Sequence, residues 1–81
     1  MALPLWVQNA KINLPEQIAN YRKFMENSIG HNQKMVMFNS GEALKNMSRG
    51  KYRQAKLDFE AAAGYANAIE IALSDLELLD Q

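Results

Sequence analysis

Tyr52, Ala55, Phe59, Ala62, Ala66, Ile69, Leu73 and Leu76 alternate at spacings of three and four without a miss. That rhythm places all eight side chains on one side of an α-helix, as in the seam by which paired helices supercoil. No proline interrupts the run, and Ala, Leu, Glu and Lys favour helix throughout it. A helix over about residues 51–79 would reach roughly 40 Å at about 1.5 Å per residue. In a chain of 81 residues, one element of that length leaves room for little besides helices packed against it. The fold class is therefore all-α.

The middle of this helix, FEAAAGYANAIEIAL, lacks the bulk that burial normally demands. Ala62, Gly64 and Ala66 lower its surface between Phe59 and Tyr65, which suits close approach of a second helix. Gly64 costs about 1 kcal/mol relative to alanine in an exposed helix interior. Close approach or a local kink would offset that cost. The first helix folded back is the expected neighbour, with another chain as the alternative.

Upstream, Leu14, Ile18, Tyr21, Met25 and Ile29 mark one face of a first helix. Asn13 is a favoured N-cap, and Pro15 suits the first turn, where its missing N–H costs nothing. Residues 1–13 show neither helical nor strand periodicity, with Pro4 and Asn9 among them, and read as an irregular N-terminal arm. The apolar run Met35–Phe38 fits a strand, a buried helical turn or a linker. A lone strand would lack a partner, so helix is favoured, with a break near residues 30–40. Asn39 and Glu42 have capping-box spacing, which suggests a restart near Ser40. MSRGK marks a turn at which Gly50 can adopt a left-handed conformation. The expected domain is a helical hairpin over residues 14–81, of two helices or of three.

GKYRQAKLDFEAA is similar to the second-helix half of a tetratricopeptide repeat, through Gly50, Tyr52, Ala55, Phe59 and Ala62, with Ala43 as the small residue of a first helix. The resemblance spans roughly a third of the chain and implies a helix–turn–helix with its turn at residues 48–51. No second copy of the pattern follows, and a solenoid needs about three repeats. The long closing helix with FEAAAGYANAIE also resembles those of short bacteriophage reading frames. That likeness implies a virion component or an early inhibitor, placed in the host cytoplasm or the particle, and assigns no residue.

A chain this short hides only roughly 60% of the surface its unfolded form exposes. Disulfides cannot compensate, since there is no cysteine, and the single His31 rules out a histidine-rich metal site within one chain. Regular helix packing and self-association remain. No cofactor is implied. MALPLWV is too short to span a membrane and has no basic region before it, so a cytoplasmic protein without a membrane partner is expected.

Enzyme chemistry finds no footing. There is no phosphate-cradling glycine loop and no nucleophile set beside a histidine. Asp58 and Glu60, like Asp75 and Glu77, diverge by about 200° on a helix, so neither pair can act on one substrate. His31, in GHNQK, reads as a solvated loop residue, with a pH-sensitive contact as its functional alternative.

Charge is zero overall but unevenly placed. Nine bases lie between Lys11 and Lys56 with only Glu16, Glu26 and Glu42 among them, whereas Asp58, Glu60, Glu70, Asp75, Glu77 and Asp80 follow with no base. The two parts carry +6 (nine minus three) and −6. In a hairpin the acidic end returns beside Arg22 and Lys23, and two such molecules could pair antiparallel.

These features give three functional readings. The first is a non-enzymatic homo-oligomer, associating through the Tyr52–Leu76 stripe and serving as a structural, adaptor or assembly component. It expects Ala62→Leu, or charge reversal at Asp75 or Glu77, to change the oligomeric state. The second is an inhibitor docking on another protein through Leu5, Trp6, Asp75 and Glu77, although Trp6 serves equally as a lid on the hairpin. The third is a nucleic-acid or nucleotide binder using Arg49, Lys51, Arg53 and Lys56. There Lys45, Arg49, Arg53 and Lys56 approximate one stripe and Lys51 points elsewhere.

Overall fold

A computed structural model describes residues 3–80, the side chains of Ile12 and Asn13 excepted. It contains three helices, α1 Leu5–Asn13, α2 Pro15–Ser48 and α3 Tyr52–Leu79, and no strand among the described residues. Helices α2 and α3 form an antiparallel hairpin, and α1 folds back over its open end. The molecule measures 56 × 18 × 16 Å, the proportions of a rod two helices wide.

Residues 5–13 are helical, which corrects the reading of residues 1–13 as an irregular arm. The Pro4 carbonyl accepts from the Val7 and Gln8 amides, both at 3.1 Å, and starts the first turn without a side-chain cap. Period is hard to see in so short a helix because, among its described side chains, burial falls on Val7 and Ala10 alone. Pro15 explains why α1 and α2 are separate. The residue before a proline is pushed out of the α region, and Leu14 adopts φ −136° and ψ 73° there. The N-cap of α2 is thus Leu14, and Asn13 closes α1 instead.

Helix α2 is continuous through residues 30–40, so the expected break is absent. Gly30 and Gly41 each weaken the helix locally by about 1 kcal/mol, but packing along α3 keeps it continuous through both. Asn39 does not cap a new helix. Its Nδ2 donates back to the Met35 carbonyl at 2.9 Å, while Glu42 faces Lys45 at 3.5 Å.

The turn stands where expected. Gly50 has φ +74°, its amide donates to the Met47 carbonyl at 3.1 Å, and the Lys51 amide donates to Asn46 at 2.8 Å. These two bonds with a left-handed glycine make a Schellman stop, and a side chain at residue 50 would be strained.

Along the contact, α2 presents Ile18, Met25, Asn32, Asn39 and Asn46, seven residues apart and all half-buried, beside Ile29, Val36 and buried Ala43. Helix α3 answers with Ala55, Ala62, Ile69 and Leu76, and with Asp58, Tyr65, Ala72 and Leu79. At the open end, Leu3, Val7 and Leu79 form a cluster against which Ile18, Tyr21, Leu76 and Leu78 pack. Val7 is the only large side chain fully buried among the described residues. The core is thin for the length of the rod.

Candidate self-association surface

Helix α3 carries one heptad stripe with two possible edges. Ala55, Ala62, Ile69 and Leu76 are common to both. The hairpin uses the edge Asp58, Tyr65, Ala72, Leu79. The other edge, Tyr52, Phe59, Ala66, Leu73, is the one the sequence suggests, and α2 does not cover it. Tyr52 is 71% exposed, Phe59 42% and Leu73 52%, with Ala66 half-buried. Only half of the proposed stripe is therefore intramolecular core.

The uncovered edge has a definite setting. Near the turn, Tyr52 and Phe59 share a hollow with Met47, Ala55, Lys56 and Ala63. Near the open end the same edge terminates in Asp80, which pairs with Arg22 of α2. Lys56, Ala63, Glu70 and Glu77 run beside it, again seven apart, and all four are exposed. The return of the acidic helix end beside Arg22 is thus present in the hairpin.

The small residues behave differently from expectation. Ala62 is buried against α2, so Ala62→Leu tests the hairpin before it tests any association. Nothing lies within 4 Å of a Cβ built on Gly64, which corrects the idea that the folded-back first helix requires a glycine there. Gly64 instead borders a shallow hollow with Asn32, Ala61, Tyr65 and Ala68 on the opposite side of α3.

Other candidate residues separate. Leu5 and Trp6 are both exposed, Trp6 by 54%, and the Trp6 and Tyr21 rings meet edge to face with centroids 5.6 Å apart at 89°. Lys11 Nζ ties α1 to the end of α3 by donating to the Leu78 carbonyl at 3.0 Å. Glu77 is exposed, but Asp75 is only 8% exposed and faces its own chain, so it cannot serve a partner as Glu77 can. Its Oδ1 has no hydrogen-bond partner among the described residues. Burial raises the Tyr21 phenol above its ordinary value, and the Asp75 carboxylate raises it further. The basic residues do not share a face: Lys51 and Arg53 border a hollow beside the turn, whereas Lys56 borders the Met47–Phe59 hollow. Arg49 and His31 are exposed, His31 within α2 and not in a loop.

Three half-buried asparagines line the α2 side of the seam, and one of them bonds across it. Asn46 Nδ2 donates to Asp58 Oδ2 across the two helices at 2.7 Å, and Asn32 Nδ2 donates to Ser28 Oγ at 3.5 Å. The signal was available: Asn32, Asn39 and Asn46 recur at seven residues on a helix whose seam has that period. Among the described residues, no group of three or more His, Asp or Glu is placed to hold a metal ion. No helix is long and apolar enough to cross a membrane. Compared with family models, curated proteins and solved structures, the chain matches none.

Proposed function

We propose that this protein is a non-enzymatic helical module that associates with itself through the uncovered edge of α3 and serves as a structural, adaptor or assembly component. The observation that carries this reading is the exposure of Tyr52, Phe59 and Leu73 along a heptad line that continues the intramolecular stripe. Such a continuous apolar line on a small domain marks an interaction surface. It also supplies burial that a core with one fully buried large side chain lacks.

Light scattering behind a sizing column, across a concentration series, tests it. A defined dimer or larger closed species is expected, weakened by Phe59→Ser. A folded monomer at every concentration would remove the reading.

A further inference from the structure

We infer that the partner on the uncovered edge is a second copy of this chain running antiparallel, with the twofold axis near Ala63. This inference rests on the self-association reading and adds orientation and register to it.

Charge along the edge carries the argument. On the line beside the apolar residues, Lys56 precedes Ala63, and Glu70 and Glu77 follow it, each seven residues from the next and each exposed. The turn adds exposed Arg49 at the basic end. A parallel partner would set Lys56 against Lys56 and Glu70 against Glu70. An antiparallel partner centred on Ala63 sets Lys56 against Glu70 twice and brings Glu77 toward the basic turn. Charges at such flanking positions select partner and orientation.

The apolar line independently gives a centre half a residue away, between Ala62 and Ala63. About Ala63, Tyr52 meets Leu73 of the second copy and Phe59 meets Ala66, so each large side chain faces an apolar one. A shift that centred the pair on Ala66 would set Tyr52 against the charged Asp80. Ala63 and Ala66 at the crossing leave room for the backbones to approach closely. On α2, Glu26, Gln33 and Ser40 flank the same side seven apart, and only Met47 is apolar among them. The apolar contact therefore comes mainly from α3, with Met47 beside it at the turn end.

Lys56→Glu, Glu70→Lys and the double reversal test the geometry in the full chain, with circular dichroism to confirm that these exposed changes leave the fold intact. Each single reversal turns two attractions into two repulsions and is expected to raise the dimer dissociation constant on the order of tenfold at low salt. The double reversal is expected to restore it to within about threefold. Added salt should shrink the differences.

A wild-type monomer at all concentrations overturns the self-association reading and this inference with it. A wild-type dimer indifferent to the single reversals overturns the antiparallel arrangement alone. Rescue of Lys56→Glu by Glu77→Lys, but not by Glu70→Lys, overturns the register about Ala63.

Discussion

The two edges of the α3 stripe share spacing and length, yet one is inside the molecule and the other outside. The covered edge is Asp58, Tyr65, Ala72, Leu79 and the uncovered edge is Tyr52, Phe59, Ala66, Leu73. Judged by hydrophobicity the choice is inverted, because the covered edge contains an aspartate and the uncovered edge two aromatics. What decides it is the surface of α2. Asn46 offers Asp58 a hydrogen bond at 2.7 Å, so the polar residue is satisfied in the seam. At the other end Leu79 finds Leu3 and Val7. The hairpin selects the edge that complements its neighbour, and the more apolar edge stays exposed.

Truncation on each edge gives the largest contrast. Leu79→Ala removes a buried side chain and is expected to cost about 2 kcal/mol. That is the low end for such a change, because the cluster lies at a helix end where the chain can close around a gap. Leu73→Ala in the monomer should cost within about 0.5 kcal/mol. Urea unfolding followed by Trp6 fluorescence and circular dichroism reads both. Equal losses would mean that the hairpin buries Leu73 as it buries Leu79, and the contrast between the edges would collapse.

Asp75 presses on the covered side. It is buried, its Oδ1 lacks a partner among the described residues, and it stands near the C-terminus of α3, where the helix dipole disfavours negative charge. Asp75→Asn keeps the shape and removes the charge, so stability should rise by about 1–2 kcal/mol at neutral pH with no change in oligomeric mass. Loss of stability would show that the carboxylate has a favourable partner in solution. A change in mass without a change in stability would return Asp75 to the association surface.

How much of this could be read beforehand differs from element to element. The hairpin, its turn at Gly50 and the extent of α3 follow from local chemistry: a glycine able to take positive φ, and a run of 3–4 spacing with no breaker. The continuity of α2 does not, since Gly30, Gly41 and an Asn39–Glu42 capping pattern each favour a stop locally. Contact with α3 along its length outweighs them. The helicity of α1 was hidden because a short helix buries too few residues to show a period. The stripe on α3 was legible, but not which edge was covered, because spacing of three and four admits either flank of Ala55, Ala62, Ile69 and Leu76. That choice lies in α2, in Asn46, which meets Asp58 and carries no hydrophobic signal.

Gly64 separates the edges from the third side of α3. An added methyl meets nothing within 4 Å in the hairpin, and the residue is helical and exposed. Gly64→Ala should therefore stabilise the chain by up to about 1 kcal/mol. Because Gly64 borders the hollow opposite the Tyr52–Leu73 edge, the solution mass should stay as it is in wild type. A stabilised chain whose mass falls would show that a second molecule lies against Gly64, and that the tight approach is between copies on that side.

The smallest effect probes how the covered side is held at the open end. Tyr21 packs against the Leu3–Val7–Leu79 cluster and under the edge of Trp6, and burial, then the Asp75 carboxylate, raises its phenol above the ordinary value. A raised value means that folding favours the protonated phenol. The associated stability is present below the unfolded value, near pH ~10, and is lost as pH rises through the folded value. Tyr21→Phe cannot titrate. Wild type should thus lose stability relative to Tyr21→Phe as pH rises above about 10, while the two stay parallel at lower pH. Taking the difference between the chains removes the lysines, which titrate in the same range in both. In Asp75→Asn the alkaline loss should shrink without vanishing, since burial is the larger cause and the carboxylate the smaller. An alkaline loss that disappears in that variant would make the charge the main cause, and the open end would be held apart by electrostatics more than closed by packing.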